Sequence, residues 1–362
     1  MTDPNLRHRR GRGAVSARVG RYESAGRELF DDGWGSIEEV VEEGGPRTHV
    51  QPEHPRKIIS RNNSPDIGFD RSLNPYQGCE HGCIYCYARP SHAYNGLGAG
   101  LDFETRIFSK PSAPALLRKE LSARNYRPDT LVIGGNTDPY QPVERMLGIT
   151  RGVLEVLNEF GHPTGLITKG RGVLRDIDLL SSMAERNLAR VAVSVTTLDP
   201  ALSRRLEPRA ASPAARLKVI EKLSDAGVPV VVMLAPVIPA VNDAEIESIL
   251  TAVADAGARS AGYVLLRLPL EVAPLFDEWL EEHLPLRREH VLELVRQCRG
   301  GGVYQAQFGT RMRGTGAYAD LIAQRFALAK RRNGFGPIEK LSREHFAVPP
   351  KAGDQMNLFG SP

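Results

Sequence analysis

From about residue 66 the chain alternates short apolar runs with stretches of helical spacing. TLVIGG (130–135) is an apolar run closed by glycines, the pattern of a buried strand. TRGVLEVLNEFG (150–161) places apolar residues at helical intervals and stops at glycine. TGLITK (164–169) predicts a second strand and VLRDIDLLSSMAERN (173–187) a second helix. ARVAVSVTT (189–197), the β-branched VPVVVMLAPVI (228–238) and AGYVLLRL (261–268) continue the strands. Between them lie SPAARLKVIEKLSDAG (212–227), opened by Ser-Pro and closed by glycine, and NDAEIESILTAVADAG (242–257), with an Asn or Asp cap. Strands alternating with helices of this length form parallel βαβ units. With a strand expected just before Cys79, the units number roughly six, enough for a partial (β/α)6 TIM-type barrel. A flat doubly wound sheet is the alternative, but no G-x-G-x-x-G follows the first strand.

The flanks read differently. Residues 1–65 hold a basic stretch (RHRRGRGAVSARVGRYE), an acidic one (DDGWGSIEEVVEEGG) and a charged linker. They are expected to form an N-terminal arm and wrapping segment, partly disordered unless bound. Its arginines fit a solvated tail or a phosphate-contacting arm. The barrel is placed at 66–270, a C-terminal helical extension at 271–348, and a flexible tail at 349–362 after a Pro-Pro break. A 41% hydrophobic and 25% charged composition is that of a soluble globular chain, and the net charge of +4 permits a nucleic-acid partner without demanding one. No apolar run approaches the roughly 18 residues of a membrane helix. The N-terminus lacks a signal peptide's apolar core, so the protein is expected to be cytoplasmic.

Three of only four cysteines fall in NPYQGCEHGCIYCYARPSHAY (74–94), as Cys79, Cys83 and Cys86 in C-x-x-x-C-x-x-C spacing. In a reducing compartment, clustered thiols bind metal or do redox chemistry. They lie just after the first strand, at the carboxyl end, where barrels of this type carry their chemistry. GGNTDPYQPVE, Thr168-Lys169-Gly170 and Ser194–Thr197 gather at the same face. Thiolates favour zinc or iron–sulfur. A structural zinc needs a fourth ligand, which only His81 or distant Cys298 could supply. A 4Fe–4S cluster held by three cysteines leaves one iron open to a small molecule. Both metals remain open on spacing alone.

The loop CEHGCIYC, with aromatic Tyr85 before the last cysteine, resembles the signature of the radical S-adenosylmethionine (SAM) superfamily. Within it the chain resembles the spore photoproduct lyase-like (DNA repair photolyase-like) group, and a set of bacterial proteins sharing NPYQGCEHGCIYCYARPSHAY, GLDFETRIFSK, GGNTDPYQPVE and SVTTLD-x-x-L-x-x-x-LEPRA. The resemblance spans about residues 66–270. It implies a 4Fe–4S cluster on Cys79, Cys83 and Cys86 and S-adenosylmethionine chelated to the open iron. A reductant such as flavodoxin or ferredoxin would feed in one electron, and cleavage would yield a 5′-deoxyadenosyl radical that abstracts hydrogen from substrate. It also implies that Tyr85 and Tyr87 flank the adenine, Thr137 and Asp138 hold the methionyl end, Lys169 neutralises the carboxylate and Ser194 bonds the ribose or carboxylate.

Each assignment has a plainer counterpart. The tyrosines could be packing aromatics, Asp138 before Pro139 a turn residue, Lys169 a rim charge and Glu144 a favourable helix start. Arg204, Arg205 and Arg209 could grip a phosphate or pair with Glu207. His81 and His92 read as structural groups, and Cys298, after helical VLELVRQ, as a buried small hydrophobe. The lyase donates hydrogen from a cysteine near the second strand's end. IGGNTDPY has none, which leaves Cys298 or Tyr304 as donor candidates and sets this chain apart from the lyase reaction. The substrate expectation is nucleic acid, in DNA repair or base modification. A peptide or small metabolite is the alternative within the same chemistry, and a zinc-stabilised binding protein the alternative outside it. QMNLF near the end, with Gln355, Met356, Leu358 and Phe359, resembles the peptide by which bacterial repair proteins dock on the sliding clamp.

Overall fold

The computed structural model describes residues 11–16, 18, 20–22 and 46–350. The QMNLF motif and the acidic stretch lie outside the described residues. Six strands run parallel in chain order: β3 (Arg71–Leu73), β6 (Leu131–Ile133), β7 (Thr164–Thr168), β8 (Ala189–Ser194), β9 (Val230–Val237) and β10 (Ser260–Leu265). The order never reverses, so there is no switch point of the doubly wound kind, and the sheet is a partial barrel. A short β2 (Ser60–Arg61) pairs antiparallel on the outer edge of β3. The registers Leu73↔Ile133, Ile133↔Leu166, Leu166↔Val191 and Val191↔Val230 hold the strands level, so the loops after them meet at one mouth.

The strands were legible from their apolar residues, and in β8 and β9 buried positions alternate with half-buried ones such as Ala192, Met233 and Ala235. Val191, Val193, Val230 and Val232 pack against Val153, Leu157, Leu180, Ile220, Leu223 and Ile249 from the outer helices. Of those helices, Pro213–Asp225 starts as expected: Ser212 Oγ accepts from the Ala215 amide at 3.3 Å, with Pro213 in the first turn. The helix expected from 242 differs, beginning only at Ile246 after a 3-10 turn. Asn242 does not cap it, because its side chain is used on the barrel mouth. Asn242 Nδ2 donates to the carbonyls of Thr196 (2.7 Å) and Pro236 (3.0 Å), and Oδ1 accepts from the Ile238 amide (2.6 Å).

Outside the barrel the structure adds a second sheet, in which β1 (His49–Pro52) and β4 (Tyr76–Gln77) flank β5 (Arg106–Ser109). It makes the described part of the expected arm an ordered wrap. The reading of its arginines as a phosphate-contacting arm is corrected where they are described. The Arg12 backbone amide donates to the Glu104 carboxylate and its Nη1 to the Glu104 main-chain carbonyl, Nη2 donates to Thr48 Oγ1 at 2.5 Å, and the guanidinium lies 3.7 Å from Glu80 Oε1. Arg18 pairs with Glu278, and Arg21 with Glu271. These charges are already matched by carboxylates, so they are not free for phosphate.

Helices Val272–His283 and Arg288–Gln297 pack Phe276, Trp279, Val291 and Val295 against Ile84 of the cysteine loop. Residues 309–312 then tie the two edges of the open barrel together. Asp66 accepts from the Gly309 amide at 2.6 Å and pairs with Arg311, while the Leu265 amide donates to the Met312 carbonyl at 2.9 Å. Among the described residues, no helix is long and apolar enough to cross a membrane.

Candidate active site

The cysteine loop is held by its backbone. The Cys79 amide donates to the Phe103 carbonyl (2.9 Å) and the Ile84 amide to the Leu206 carbonyl (3.1 Å). Gly82 takes a left-handed φ of +66°, which lets the chain turn between Cys79 and Cys83 where a side chain would be strained. Behind the loop lies Arg89, fully buried, with every side-chain nitrogen engaged. Its Nε donates to the Cys83 carbonyl at 2.9 Å, Nη1 to Ala99 and Gly100, and Nη2 to the Gly82 carbonyl and to Glu104 Oε1 at 2.5 Å. Glu104 also accepts from the Gly13 and Ala14 amides at 3.0 and 2.9 Å. On the other side, buried Glu80 accepts from Thr48 (2.6 Å), the Val143 amide (2.6 Å) and Arg209 (3.1 Å), and Gln141 bridges the Glu80 amide and the Gly78 carbonyl.

Sequence reasoning missed Arg12, Glu80, Arg89, Glu104 and Gln141 as members of the site. Most stand inside the quoted CEHGC, YARP, GLDFET and PYQPVE stretches, so their company with the cysteines was the available signal.

A second missed group lies under the thiols. Glu207, of LEPRA, accepts from the Tyr85 hydroxyl, from Thr196 Oγ1 at 2.6 Å and from Arg216, whose Nη1 also donates to the Ser194 carbonyl at 3.0 Å. Burial alone would raise the Glu207 pKa, but Arg216 and Lys169 overcome it and hold the carboxyl at about 2. Burial works against the Lys169 ammonium as well, yet Cys83 and Glu207 beside it keep its pKa above the ordinary lysine value. Lys169 Nζ lies 5.9 Å from the Tyr85 ring centroid. Burial pushes the Cys83 thiol up to about 12 against the pull of Lys169, and it raises Cys79 too, aided by Asp138. Raised thiol pKa values mean that a metal binding here competes with protons for the sulfurs.

The structure brings the remaining expected residues to the mouth in different roles. Asp138 is a brace: Oδ1 accepts from Thr168 Oγ1 (2.7 Å) and the Tyr140 amide (2.9 Å), Oδ2 from the Lys169 amide (2.6 Å), with His81 Nδ1 3.4 Å away. That is the turn-forming alternative, extended to the next strand. Thr137 Oγ1 donates to the Tyr76 carbonyl at 2.9 Å, so it too is engaged. Buried Ser194 has no partner for its hydroxyl among the described residues. Tyr85 is buried, and its hydroxyl is tied to Glu207. Tyr87 is 48% exposed and reaches across the mouth to the Gly135 carbonyl. Glu144 does start a helix, and it also accepts from Tyr76 and Arg175. His92 is buried against the Arg106 carbonyl, 2.9 Å away. Arg204 and Arg205 are exposed, and Glu207 pairs with Arg216 instead of with them. Cys298 is wholly buried in the main core, while Tyr304 is half-buried.

Among the described residues, no three His, Cys, Asp or Glu side chains form a group that could hold one metal ion. Cluster ligands need not share a point, since each thiolate takes its own iron. With His81 turned to Asp138 and Cys298 in a separate core, the donor set is three soft thiols, which suits a cluster with one open corner.

A partial barrel with three loop thiols at its carboxyl mouth is the architecture of an S-adenosylmethionine-dependent radical enzyme. Residues 73–253 match the family model of the Radical SAM superfamily, and the chain belongs to that superfamily. Among its relatives, the uncharacterized protein Rv2578c of Mycobacterium tuberculosis (strain ATCC 25618 / H37Rv) is 35% identical over 237 residues, 65% of this chain and 70% of the relative. The uncharacterized protein MJ0683 of Methanocaldococcus jannaschii is 25% identical over 174 residues, 48% of this chain and 62% of the relative. The fold is that of spore photoproduct lyase complexed with dinucleoside spore photoproduct, with a TM-score of 0.57 at 14% identity, covering 79% of this chain and 80% of that one.

Proposed function

We propose that this radical SAM enzyme acts on nucleic acid, in repair or base modification, with Cys79, Cys83 and Cys86 as the ligands of a 4Fe–4S cluster. The observation that carries the reading is the set of three free thiols at the barrel mouth, two buried and one half-buried, with the Lys169 ammonium beside Cys83. When bound and reduced by an external donor such as flavodoxin or ferredoxin, the cluster and S-adenosylmethionine supply a 5′-deoxyadenosyl radical for hydrogen abstraction.

The chain's own residues do the positioning. Lys169 offers its ammonium to the cofactor's carboxylate, and the free Ser194 hydroxyl offers a hydrogen bond to the carboxylate or ribose. Asp138 sets the Lys169 backbone through its amide, and Thr137 sets the loop after β6. Tyr85 acts through Glu207, holding the loop between Cys83 and Cys86, while half-exposed Tyr87 offers its ring to the adenine. The likeness of fold to a lyase that binds a dinucleoside photoproduct supports a nucleic-acid substrate. The reaction on it differs, since Gly134-Gly135-Asn136 stands after β6 with no thiol and Cys298 is enclosed in the core. Of the two donor candidates, Tyr304 is the half-buried one and the one this reading keeps.

The test is anaerobic reconstitution with iron and sulfide, reduction, addition of S-adenosylmethionine and chromatography for 5′-deoxyadenosine. Its formation by the wild type and loss in Cys83→Ala support the assignment. A Cys83→Ala protein that still forms it, or a wild type that binds zinc and no cluster, overturns it.

A further inference from the structure

One positive group at the mouth has no ion-pair partner among the described residues. Arg267 follows β10 by two residues, and its guanidinium stacks 5.5 Å over the ring of Tyr87. Its Nη1 meets only the Met312 sulfur at 3.6 Å, and its Nε is buried with no hydrogen-bond partner. No carboxylate among the described residues pairs with it. Asp66, the acid nearest in effect, is already held by the Gly309 amide and Arg311.

Behind it stands a second guanidinium, Arg299, clamped to the carbonyls of Leu265, Leu266 and Arg311 at 2.9, 2.6 and 2.7 Å. Burial and then the charge on Arg267 depress its pKa to about 10. Two crowded, partly desolvated cations with no carboxylate in direct contact among the described residues are costly to the fold, and an incoming anion would relieve that cost. A guanidinium whose face rests on an aromatic ring presents its forked edge to such an anion, the geometry that suits phosphate. On the strap that touches Arg267 through Met312, Phe308 is 52% exposed and carries Arg311 at 4.5 Å. A guanidinium without an ion-pair partner among the described residues, beside an exposed ring, matches a single strand, with a phosphate on the charge and a base on the ring.

We propose that Arg267 is the phosphate-binding residue for a nucleic-acid strand entering the barrel mouth, with Phe308 as the adjoining base-stacking surface. This rests on the nucleic-acid reading above. Arg267 faces the mouth beside Tyr87, so a strand held there presents its neighbouring nucleotide to the site next to Cys86.

The experiment is fluorescence anisotropy of the reconstituted full chain with a labelled single-stranded oligodeoxynucleotide, titrated across salt concentrations. Wild type, Arg267→Gln, Arg267→Lys and Phe308→Ala are compared at matched iron content and circular dichroism. Loss of one phosphate contact weakens binding on the order of tenfold at low salt and lowers the slope of log K against log salt by about 0.7. Arg267→Lys keeps the slope while losing part of the affinity. Exposed Phe308→Ala weakens binding at least about fivefold with the slope unchanged, because it removes stacking and no charge. Wild-type binding with an Arg267→Gln slope equal to wild type overturns the Arg267 site and leaves the nucleic-acid reading standing. No wild-type binding at low salt overturns both.

Discussion

Changing Glu207 to glutamine would test whether the buried ion pair beneath the thiols keeps the cysteine loop in place. The Glu207 carboxylate joins Tyr85, Thr196 and Arg216, three positions on separate elements. Glutamine keeps the shape but replaces one acceptor oxygen with an NH2 donor. Where that donor faces Arg216, the guanidinium is left as a buried charge with only the Ser194 and Ala211 carbonyls.

Two routes give the magnitude. Breaking a buried pair from one side costs about 3–5 kcal/mol. Independently, a carboxyl held at about 2 against an ordinary 4.5 corresponds to roughly 3 kcal/mol. Because the folded pKa is depressed, that contribution is complete above about pH 4.5 and is lost as the pH falls toward 2.

The assay is urea unfolding at neutral pH, followed by circular dichroism, on the wild type, Glu207→Gln, Arg216→Met and the double variant. Glu207→Gln should lose about 3–5 kcal/mol, and the double variant less than the sum of the singles, because it removes the orphaned charge along with its partner. Iron uptake on reconstitution should fall with Glu207→Gln, since Tyr85 sits between Cys83 and Cys86. A loss under about 1 kcal/mol, or strictly additive singles, would refute the reasoning.

Two further outcomes follow from the packing. A Cβ at Gly13 would stand 1.9 Å from the Gly82 carbonyl oxygen, so Gly13→Val should drive the arm off the back of the cysteine loop. Trypsin should then cut faster at Arg12, whose side chain is largely enclosed in the wild type, and an unchanged digestion pattern would contradict the close packing. His162 accepts from the Tyr126 hydroxyl at 2.8 Å through Nε2 and donates to the Pro163 carbonyl at 3.0 Å through Nδ1, and burial depresses its pKa to about 4. The unfolded chain binds this proton first, so the stability is whole above about pH 6.5 and declines by about 3 kcal/mol as the pH falls to 4. Thermal melts of His162→Gln should be flatter than wild type across that window, and an equal slope would remove His162 as its source.

The strands from β6 to β10 could be read from the chain because their buried positions are apolar and rich in β-branched residues, as Val230–Val237 shows. The cysteine loop could be read because three soft ligands at fixed spacing have few other uses. The helix starting at Ile246 was misplaced for a local reason: Asn242 looks like a cap in one dimension and is a mouth brace in three. Asp138 reads in the sequence as a cofactor contact or a turn residue, and only the fold adds that Thr168 and the Lys169 amide donate to its carboxylate.

What the sequence determined by itself was the order of elements, the face that carries the chemistry and the three thiols, all set by local periodicity and spacing. What only the tertiary structure decided was which charges are buried and against what. Glu80 meets Arg209 across 129 residues, Arg311 meets Asp66 across 245, and Arg267 pairs with no acid among the described residues. A charged side chain reads as solvated in any linear pattern. Only folding removes the water, and then a partner, or the lack of one, sets its energy.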